Sequence, residues 1–467
     1  MKILVCARIQ PDGEINPFDA CAYELALSVP GAEVSLLSMG PLSSEAALLS
    51  LTRLGAKTAY LLTDSQFAGA DTLATAYTLS LAVKKLAPDY VFCGRQTLVG
   101  DTGQTAIMLS QKTGFDLITN VMGLLDITDK QISCKTRESD SVKADSPALI
   151  TVERINTLRF PSIRSKTGEV VTLSATDIGA DIEKCGFSGS PTRVIETKEN
   201  TSGRRKCVYI EPADLRGIIS NALKRTRQPN FTEKSEKRIG KVIAVTAAVL
   251  DYAKSVSDNI IVFDEVNADV VISKIKAEKP DAVLFGSDYL SKRVSALVAA
   301  RLDLGLCADC TALDTDGENL YMIRPALSGS VMAKIVSRVK PAMATVRTAV
   351  SSSDIVVTAG FGVADKLDTV RSFADSINAT LGATRKAVDN GILPYDLQIG
   401  LTGKTVSPAV YIAIGVSGAV HHIAGMDKSG VIIAINPDKN APIFDYADYG
   451  IISDFNNNFL EVKNELR

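Results

Sequence analysis

The chain has 467 residues, enough for two to four domains that each bury a core. Its 51 basic and 53 acidic side chains leave a net charge of −2, which gives no overall electrostatic footprint for nucleic acid. The composition, 46% hydrophobic, is that of a globular protein, and no apolar run is long enough for membrane insertion.

In chain order, residues 3–6 read as a buried strand. No signal-peptide apolar region precedes it, so a cytoplasmic location is expected. Asn16-Pro17-Phe18-Asp19 supplies turn and cap chemistry. Ala22, Leu25, Ala26 and Val29, at i, i+3, i+4 and i+7, then predict a helix. Strands over 34–37 and 59–62 flank a second helix. A third helix covers 72–86, and 89–93 is a strand ending in Gly94. This alternation predicts a parallel sheet with helices on both faces. Ligands on such sheets bind at the carboxyl ends of strands, which makes residues 6–8 and 94–105 the expected rim.

Pro88-Asp89-Tyr90-Val91-Phe92-Cys93-Gly94 recurs as Pro280-Asp281-Ala282-Val283-Leu284-Phe285-Gly286. Each copy continues into a helix and then a strand-like segment, 118–125 in the first and 306–313 in the second. The spacing is far too long for a solenoid and indicates two homologous domains in one polypeptide. Between them, residues 188–237 shift toward Lys, Arg, Thr, Ser and Asn. The basic runs Gly203-Arg204-Arg205-Lys206 and Lys224-Arg225-Thr226-Arg227 lack interleaved aromatics, so the segment reads as a solvated linker. Tyr209, Leu215 and Ile218 predict a partial strand and helix within it. A third unit starts near Ser351. It has a strand over 354–358 ending in Ala359-Gly360-Phe361-Gly362, a helix over 366–378, and strands over 410–414 and 431–435.

The eight cysteines read as reduced, mostly buried thiols. Cys307-Ala308-Asp309-Cys310 has CxxC spacing but no second ligand pair and strand-like flanks, so it reads as incidental and no metal site is predicted. The only two histidines, His421 and His422, stand together in Gly415-Val416-Ser417-Gly418-Ala419-Val420-His421-His422-Ile423-Ala424-Gly425. No histidine general base, Ser-His-Asp triad or His-rich metal site can form without them. A strand precedes them and a small-residue helix follows, whose first N–H groups suit a phosphate. Taken alone, the pair reads as a surface turn, and either glycine cluster is a weak nucleotide signal.

Five spaced motifs change that reading. They are Gly382-Ala383-Thr384-Arg385-Lys386-Ala387-Val388-Asp389, Gln398-Ile399-Gly400-Leu401-Thr402-Gly403-Lys404, the 417–425 stretch, Ala434-Ile435-Asn436, and Ala441-Pro442-Ile443-Phe444 leading to Ala447-Asp448-Tyr449-Gly450-Ile451. In this order they resemble the FAD domain of the α subunit of the electron-transfer flavoprotein family. Ala308-Asp309-Cys310-Thr311, Arg324-Pro325-Ala326 and Met343-Ala344-Thr345-Val346-Arg347 resemble the amino-terminal domain of that subunit. Asn16-Pro17-Phe18, Gly94-Arg95-Gln96 and Gly100-Asp101-Thr102-Gly103-Gln104-Thr105 resemble the β subunit.

The resemblance implies an α/β fold of two homologous, doubly wound parallel-sheet domains plus a C-terminal α/β FAD-binding domain, with β and α subunits fused in that order. The implied domains are a β-like domain over 1–187, a linker over 188–237, a shortened α-like amino-terminal domain over 238–350 and a FAD-binding domain over 351–467.

Residue roles follow from the same resemblance. Arg385 would lie over the flavin face and stabilise negative charge on the reduced ring. Thr402 would hydrogen-bond flavin N5, and His422 the pyrimidine-ring carbonyl, leaving His421 as the less constrained neighbour. Ser417 and Gly418 would face the phosphates, and Asn436 and Asp454 the adenosine or ribityl portion. Thr384, Ile399, Gly400, Leu401, Ala419, Val420 and Phe455 would complete the FAD contacts. Cys6, Ala7, Asn16, Phe18, Gly100, Asp101, Thr102, Gly103, Gln104 and Thr105 would frame a second nucleotide, either AMP or a second FAD.

Three departures from the family pattern stand out. Phe361 replaces an arginine usual between the first two glycines, which predicts weaker FAD binding. The α-like amino-terminal domain looks short, its first strand and helix either missing or degraded into residues 206–223. In the docking loop Arg159-Phe160-Pro161-Ser162-Ile163, Ile163 replaces the usual leucine anchor, and Arg164-Ser165-Lys166-Thr167-Gly168-Glu169 replaces a lysine-rich continuation. These changes point to a dedicated partner.

The implied function is an FAD electron carrier with no substrate chemistry of its own. It would pass electrons between a flavin dehydrogenase of the acyl-CoA dehydrogenase type and another redox protein, such as a quinone oxidoreductase. One alternative is an electron-bifurcating form with two FADs that oxidises NADH and reduces ferredoxin and an enoyl-CoA or acyl-CoA dehydrogenase. A third, motivated by Phe361, is a non-redox nucleotide-binding scaffold or sensor.

Overall fold

The computed structural model describes residues 1–97, 99–199, 204–224, 235–326, 331–347, 354–400, 403–456 and 459. They form two compact units: Met1–Thr197 with Glu233–Leu327 and Ala333–Val346, and Lys198–Thr232 with Ser328–Met332 and Arg347–Arg467.

The first unit contains a nine-stranded sheet of β1 (Lys2–Cys6), β2 (Glu33–Met39), β3 (Thr58–Leu62), β4 (Tyr90–Gly94), β5 (Asp116–Ile127), β6 (Gln131–Thr136), β7 (Val142–Asp145), β8 (Ala148–Val152) and β9 (Glu169–Leu173). Their order is β7–β6–β5–β8–β4–β1–β2–β3–β9. Ile3 and Val5 of β1 enter one core while Leu4 enters another, so the central strand is covered on both faces, as a parallel sheet requires. The sheet departs from the all-parallel expectation at one edge, where β5–β6 and β6–β7 are antiparallel. The link between Ile127 and Gln131 is too short for a crossover, so only a hairpin fits there.

The homologous half follows. It comprises β10 (Thr192–Glu199), β12 (Lys241–Val245), β13 (Asn259–Phe263), β14 (Ala282–Phe285), β15 (Leu306–Cys310), β16 (Ala312–Thr315), β17 (Leu320–Ala326), β18 (Val331–Ser337) and β19 (Ala342–Val346), while β11 (Val208–Tyr209), between β10 and β12 in the chain, belongs to the second unit. One sheet is β13–β12–β14–β19–β15, and a second is β10–β18–β17–β16.

The repeat extends to individual contacts. Asp89 accepts the Lys2 amide at 2.7 Å, and Asp281 accepts the Lys241 amide at 3.0 Å. The repeated Pro-Asp thus ties the central strand to its neighbour in both copies. In β5, left-handed Asn120 donates its amide to Thr151 Oγ1; in β15, left-handed Asp309 donates to Thr345 Oγ1. Cys307 and Cys310 flank that irregularity as Ile118 and Val121 flank the other, and all four are buried. The CxxC therefore fills apolar core positions, and burial raises the Cys310 thiol pKa well above its ordinary value. Among the described residues no His, Cys, Asp and Glu group could hold a metal.

Two expectations are corrected here. The α-like half is not missing its first strand and helix, because β12 and the helix Leu250–Val256 occupy those places. The segment 206–223 belongs instead to the second unit, and the presumed solvated linker is largely built into that unit. There β11 pairs with β24 (Tyr449–Ile451) in the all-parallel sheet β11–β24–β23–β22–β20–β21. Its other strands are β20 (Ile355–Ala359), β21 (Thr380–Ala383), β22 (Val410–Ile414) and β23 (Val431–Ile435). The helix Leu215–Lys224 buries Leu215 and Ile219 in the same core as Val357, Phe373 and Ile412. Arg205 fixes the segment's start. It donates to the carbonyls of Asp427, Ser429 and Gly430 at 3.0, 2.6 and 3.1 Å, and it pairs with Asp448. Of this basic run Arg205 therefore serves as a clamp, while Arg204 and Lys206 are exposed. No described helix is long and apolar enough to cross a membrane.

Candidate functional site

In the second unit the strand order reverses at β20, which lies between β21 and β22. All three strands deliver their carboxyl ends to one edge, where ligands of open α/β sheets bind. The turns leaving β20 and β22 touch. Gly360 N donates to Ile414 O at 2.8 Å, and Gly362 N donates to Gly415 O at 3.2 Å. A Cβ on Gly360 would lie 1.9 Å from the Gly415 oxygen, and one on Gly418 would lie 2.2 Å from Ile443 N. Only glycine permits this approach, and at Gly418 a φ of +91° adds a second reason.

Beyond the turn, Ser417, Ala419 and Val420 are exposed. Asn436 supports them from below. Its amide donates to Val416 O at 2.9 Å, and its Oδ1 accepts Asp438 N at 2.9 Å. The helix expected after the glycines is a single turn, Val420–Ile423. Ser417 and Gly418 thus lie in a loop ahead of it, and phosphate contacts would come from loop amides and the Ser417 hydroxyl rather than a long helix dipole.

After β21, the Thr384 hydroxyl is buried and finds no hydrogen-bond partner among the described residues. Half-buried Arg385 follows, its Nε 3.3 Å from Asp389. Ile399 N donates to Ala383 O at 2.9 Å, which brings this loop to the same edge. Gly400, at φ +144°, packs where a Cβ would meet His421 O at 2.7 Å. Leu401 and Thr402 lie outside the described residues.

The two histidines differ in burial and in partners. His422 is 5% exposed. Its Nε2 lies 2.9 Å from the Tyr411 hydroxyl and its Nδ1 3.0 Å from Ile399 O. Both ring nitrogens are thus within hydrogen-bond distance of protein groups. Burial lowers its pKa to about 4, so the ring is neutral at pH 7. His421 is half-buried; burial and then the nearby Arg385 charge lower its pKa. Two further candidates take the following places. Phe455 sits in the core, stacked on Phe459 and edge-on to Phe373. Asp454 is ion-paired with Lys366. Tyr411 and Lys366 escaped sequence reasoning. The one available signal was that a tyrosine inside an apolar strand needs a buried partner for its hydroxyl.

The arrangement fits a flavin dinucleotide. Glycine turns admit a phosphate close to the backbone, and the Thr384 hydroxyl, buried and without a partner among the described residues, adjoins a permanent cation.

In the first unit the order reverses at β1, between β2 and β4, and Cys6 and Gly94 lie at that opening. Cys6, Gly100, Thr102, Gly103 and Thr105 are partly accessible, whereas Ala7, Phe18, Asp101 and Gln104 are buried. Asn16 is 0% exposed and donates to Gln96 O at 2.9 Å. It braces the rim from inside, its Oδ1 buried with no hydrogen-bond partner among the described residues, and the Arg95 guanidinium lies over the Phe18 ring. Asp19, read in the sequence only as turn and cap chemistry, accepts the amides of Arg8 and Gly94 at 2.8 and 3.0 Å and so ties the two sides of the opening. Burial pushes its carboxyl up to about 7. Arg324 donates to the Asp101 carbonyl at 3.1 Å. Asp101's own carboxyl is raised to about 6 by burial and by the Asp309 charge.

Arg159 pairs with Glu24 through Nε at 3.0 Å and Nη2 at 2.7 Å, while Phe160 is 93% and Ile163 100% exposed.

Comparison with known proteins agrees with this geometry. The profile described as the electron transfer flavoprotein domain matches residues 3–178 and again 240–365. That of the electron transfer flavoprotein FAD-binding domain matches 349–427. The electron transfer flavoprotein subunit alpha of Thermoanaerobacterium thermosaccharolyticum is 36% identical over 231 residues, covering 39% of this chain and 70% of that protein. Protein FixB of Clostridium saccharobutylicum is 35% identical over 235 residues, covering 40% and 70%. The acryloyl-CoA reductase electron transfer subunit beta of Anaerotignum propionicum is 33% identical over 262 residues, covering 40% and 71%. With both halves of its repeat and the glycine-turn unit matched, the chain belongs to the electron transfer flavoprotein family.

Proposed function

We propose that this chain is a single-polypeptide electron carrier, a β-like half fused to an α-like half. It would hold FAD at the β20–β22 edge and pass electrons between a flavin dehydrogenase and a second redox protein. The observation that carries the reading is the pair of interlocked glycine turns beside Arg385 and the buried Thr384 hydroxyl, which has no partner among the described residues. Bound FAD would supply reversible electron uptake; the protein supplies binding, orientation and electrostatics. Ser417 and the loop amides would take the phosphates. Thr384 would give its hydroxyl to the ligand, and Arg385 would favour added negative charge on the ring. His422, neutral and doubly bonded, fixes the Ile399–Gly400 loop against the histidine turn. The ligand-facing role moves to His421, which shares its surroundings with Arg385.

A second nucleotide at the β1–β4 opening is part of the proposal, with AMP or FAD as its identity. The loop held by Arg159–Glu24 presents Phe160 and Ile163 as apolar anchors for an acyl-CoA dehydrogenase-type partner. The fusion is supported by the two matched segments of one family profile in one chain.

The test is an anaerobic mixing experiment in which FAD-loaded protein meets a substrate-reduced acyl-CoA dehydrogenase. Bleaching of the carrier's flavin supports the reading, and bleaching by NADH alone shifts it to the bifurcating form, with ferredoxin as an acceptor. A protein that binds nucleotide but exchanges electrons with neither is a scaffold or sensor, and the proposal fails.

A further inference from the structure

Phe361 stands between Gly360 and Gly362 on the turn leaving β20, where an apolar side chain supplies nothing to a phosphate. It is 40% exposed, and its ring is not bare. The Lys386 ammonium lies over it, 4.4 Å from the ring centroid. Lys386 belongs to the one-turn helix Arg385–Asp389 that follows β21, the strand paired with β20. The ring therefore holds a cation at the mouth of the two glycine turns, by attraction between the ammonium and the aromatic face.

The neighbouring cations are differently engaged. Lys366 is paired with Asp454, and Arg385 lies within ion-pair distance of Asp389. Among the described residues Lys386 makes no ion pair, so its charge is not neutralised. A dinucleotide seated on these turns brings a doubly charged diphosphate to glycine backbone, where an ammonium with three donors acts as a point charge.

We infer that Lys386, propped by Phe361, is the diphosphate-binding cation of this site, so the aromatic residue at 361 does not leave the phosphates without a charge partner. The inference rests on the FAD reading above and deepens it. Lys386 comes from the neighbouring strand's exit, so phosphate recognition and the Arg385 position share one short helix.

Apoprotein of the full chain tests this with two probes, FAD and ADP, the latter carrying the diphosphate without a flavin. Lys386→Ala is expected to weaken both by roughly ten- to a hundredfold and to flatten the salt dependence of binding. Adding Phe361→Arg to that variant should restore most of the affinity for both. Lys386 is exposed, so thermal melting should match the wild type. Unchanged affinity for FAD and ADP in Lys386→Ala overturns the inference while the FAD reading stands. A loss for FAD without a loss for ADP also overturns it, because the lysine would then act on the flavin. If wild-type protein binds ADP but not FAD, the FAD reading falls and the lysine assignment is judged on ADP alone. If it binds neither, both fall.

Discussion

Gly360→Ala isolates the contact on which the site depends. Gly360 has φ −82° and ψ 172°, a conformation alanine adopts freely, so any effect is steric rather than conformational. The added Cβ would fall 1.9 Å from the Gly415 oxygen and 2.4 Å from its carbon, where ordinary contact begins near 3.4 Å. The two turns must therefore part by about 1.5 Å, a backbone displacement in the range where overpacking costs roughly 1–3 kcal/mol. Alanine's smaller unfolded-state entropy returns about 0.4–1 kcal/mol. The expected net loss is about 1 kcal/mol in the second unit, with FAD affinity falling further because the turns no longer meet. Gly217→Ala is the control. Gly217 lies in the helix Leu215–Lys224 with nothing within 4 Å, so the same chemical change should stabilise the unit by about 0.5–1 kcal/mol. Urea unfolding followed by hydrogen exchange at β20 and β22 measures both. Equal stability of Gly360→Ala and wild type, with unchanged FAD affinity, would refute the interlocked-turn argument.

Further outcomes follow from other contacts. His422 titrates near 4 folded against an ordinary 6.5, so the unfolded chain binds the extra proton in between. Its contribution is full above about pH 6.5 and declines by up to ~3 kcal/mol as pH falls toward 4. His422→Gln should remove that slope from urea titrations, and parallel pH curves would rule it out. Arg205→Ala should cost about 2–4 kcal/mol by calorimetry, because it frees three carbonyls and the Asp448 carboxylate. A loss below about 0.5 kcal/mol would make the clamp ornamental. Arg385→Ala should lower the potential of bound flavin in a redox titration, and an unchanged potential removes Arg385 from the ring.

The alternating strands and helices of the first unit were readable because apolar periodicity and Gly or Pro punctuation act locally. Helix Thr72–Leu86 and strands β22 and β23 lie where the pattern placed them. The repeat was visible because Asp89 and Asp281 perform the same backbone tie. What escaped was set by distant partners. Residues 206–223 read as degraded structure because their core lies in another unit, where β11 meets β24. The antiparallel hairpins followed from loop length rather than periodicity. At the site, the motif located the histidine pair but not which ring turns inward. Tyr411 and the Ile399 carbonyl, both remote in sequence, decide that. Likewise Phe361 read as a lost charge until Lys386 was seen over its ring.

The most direct test of the account is the nucleotide content of the purified full chain, extracted and counted against protein. The account predicts one FAD at the β20–β22 edge plus one further nucleotide per chain, with FAD lost selectively in Gly360→Ala. A colourless protein that cannot be reconstituted with FAD would contradict it.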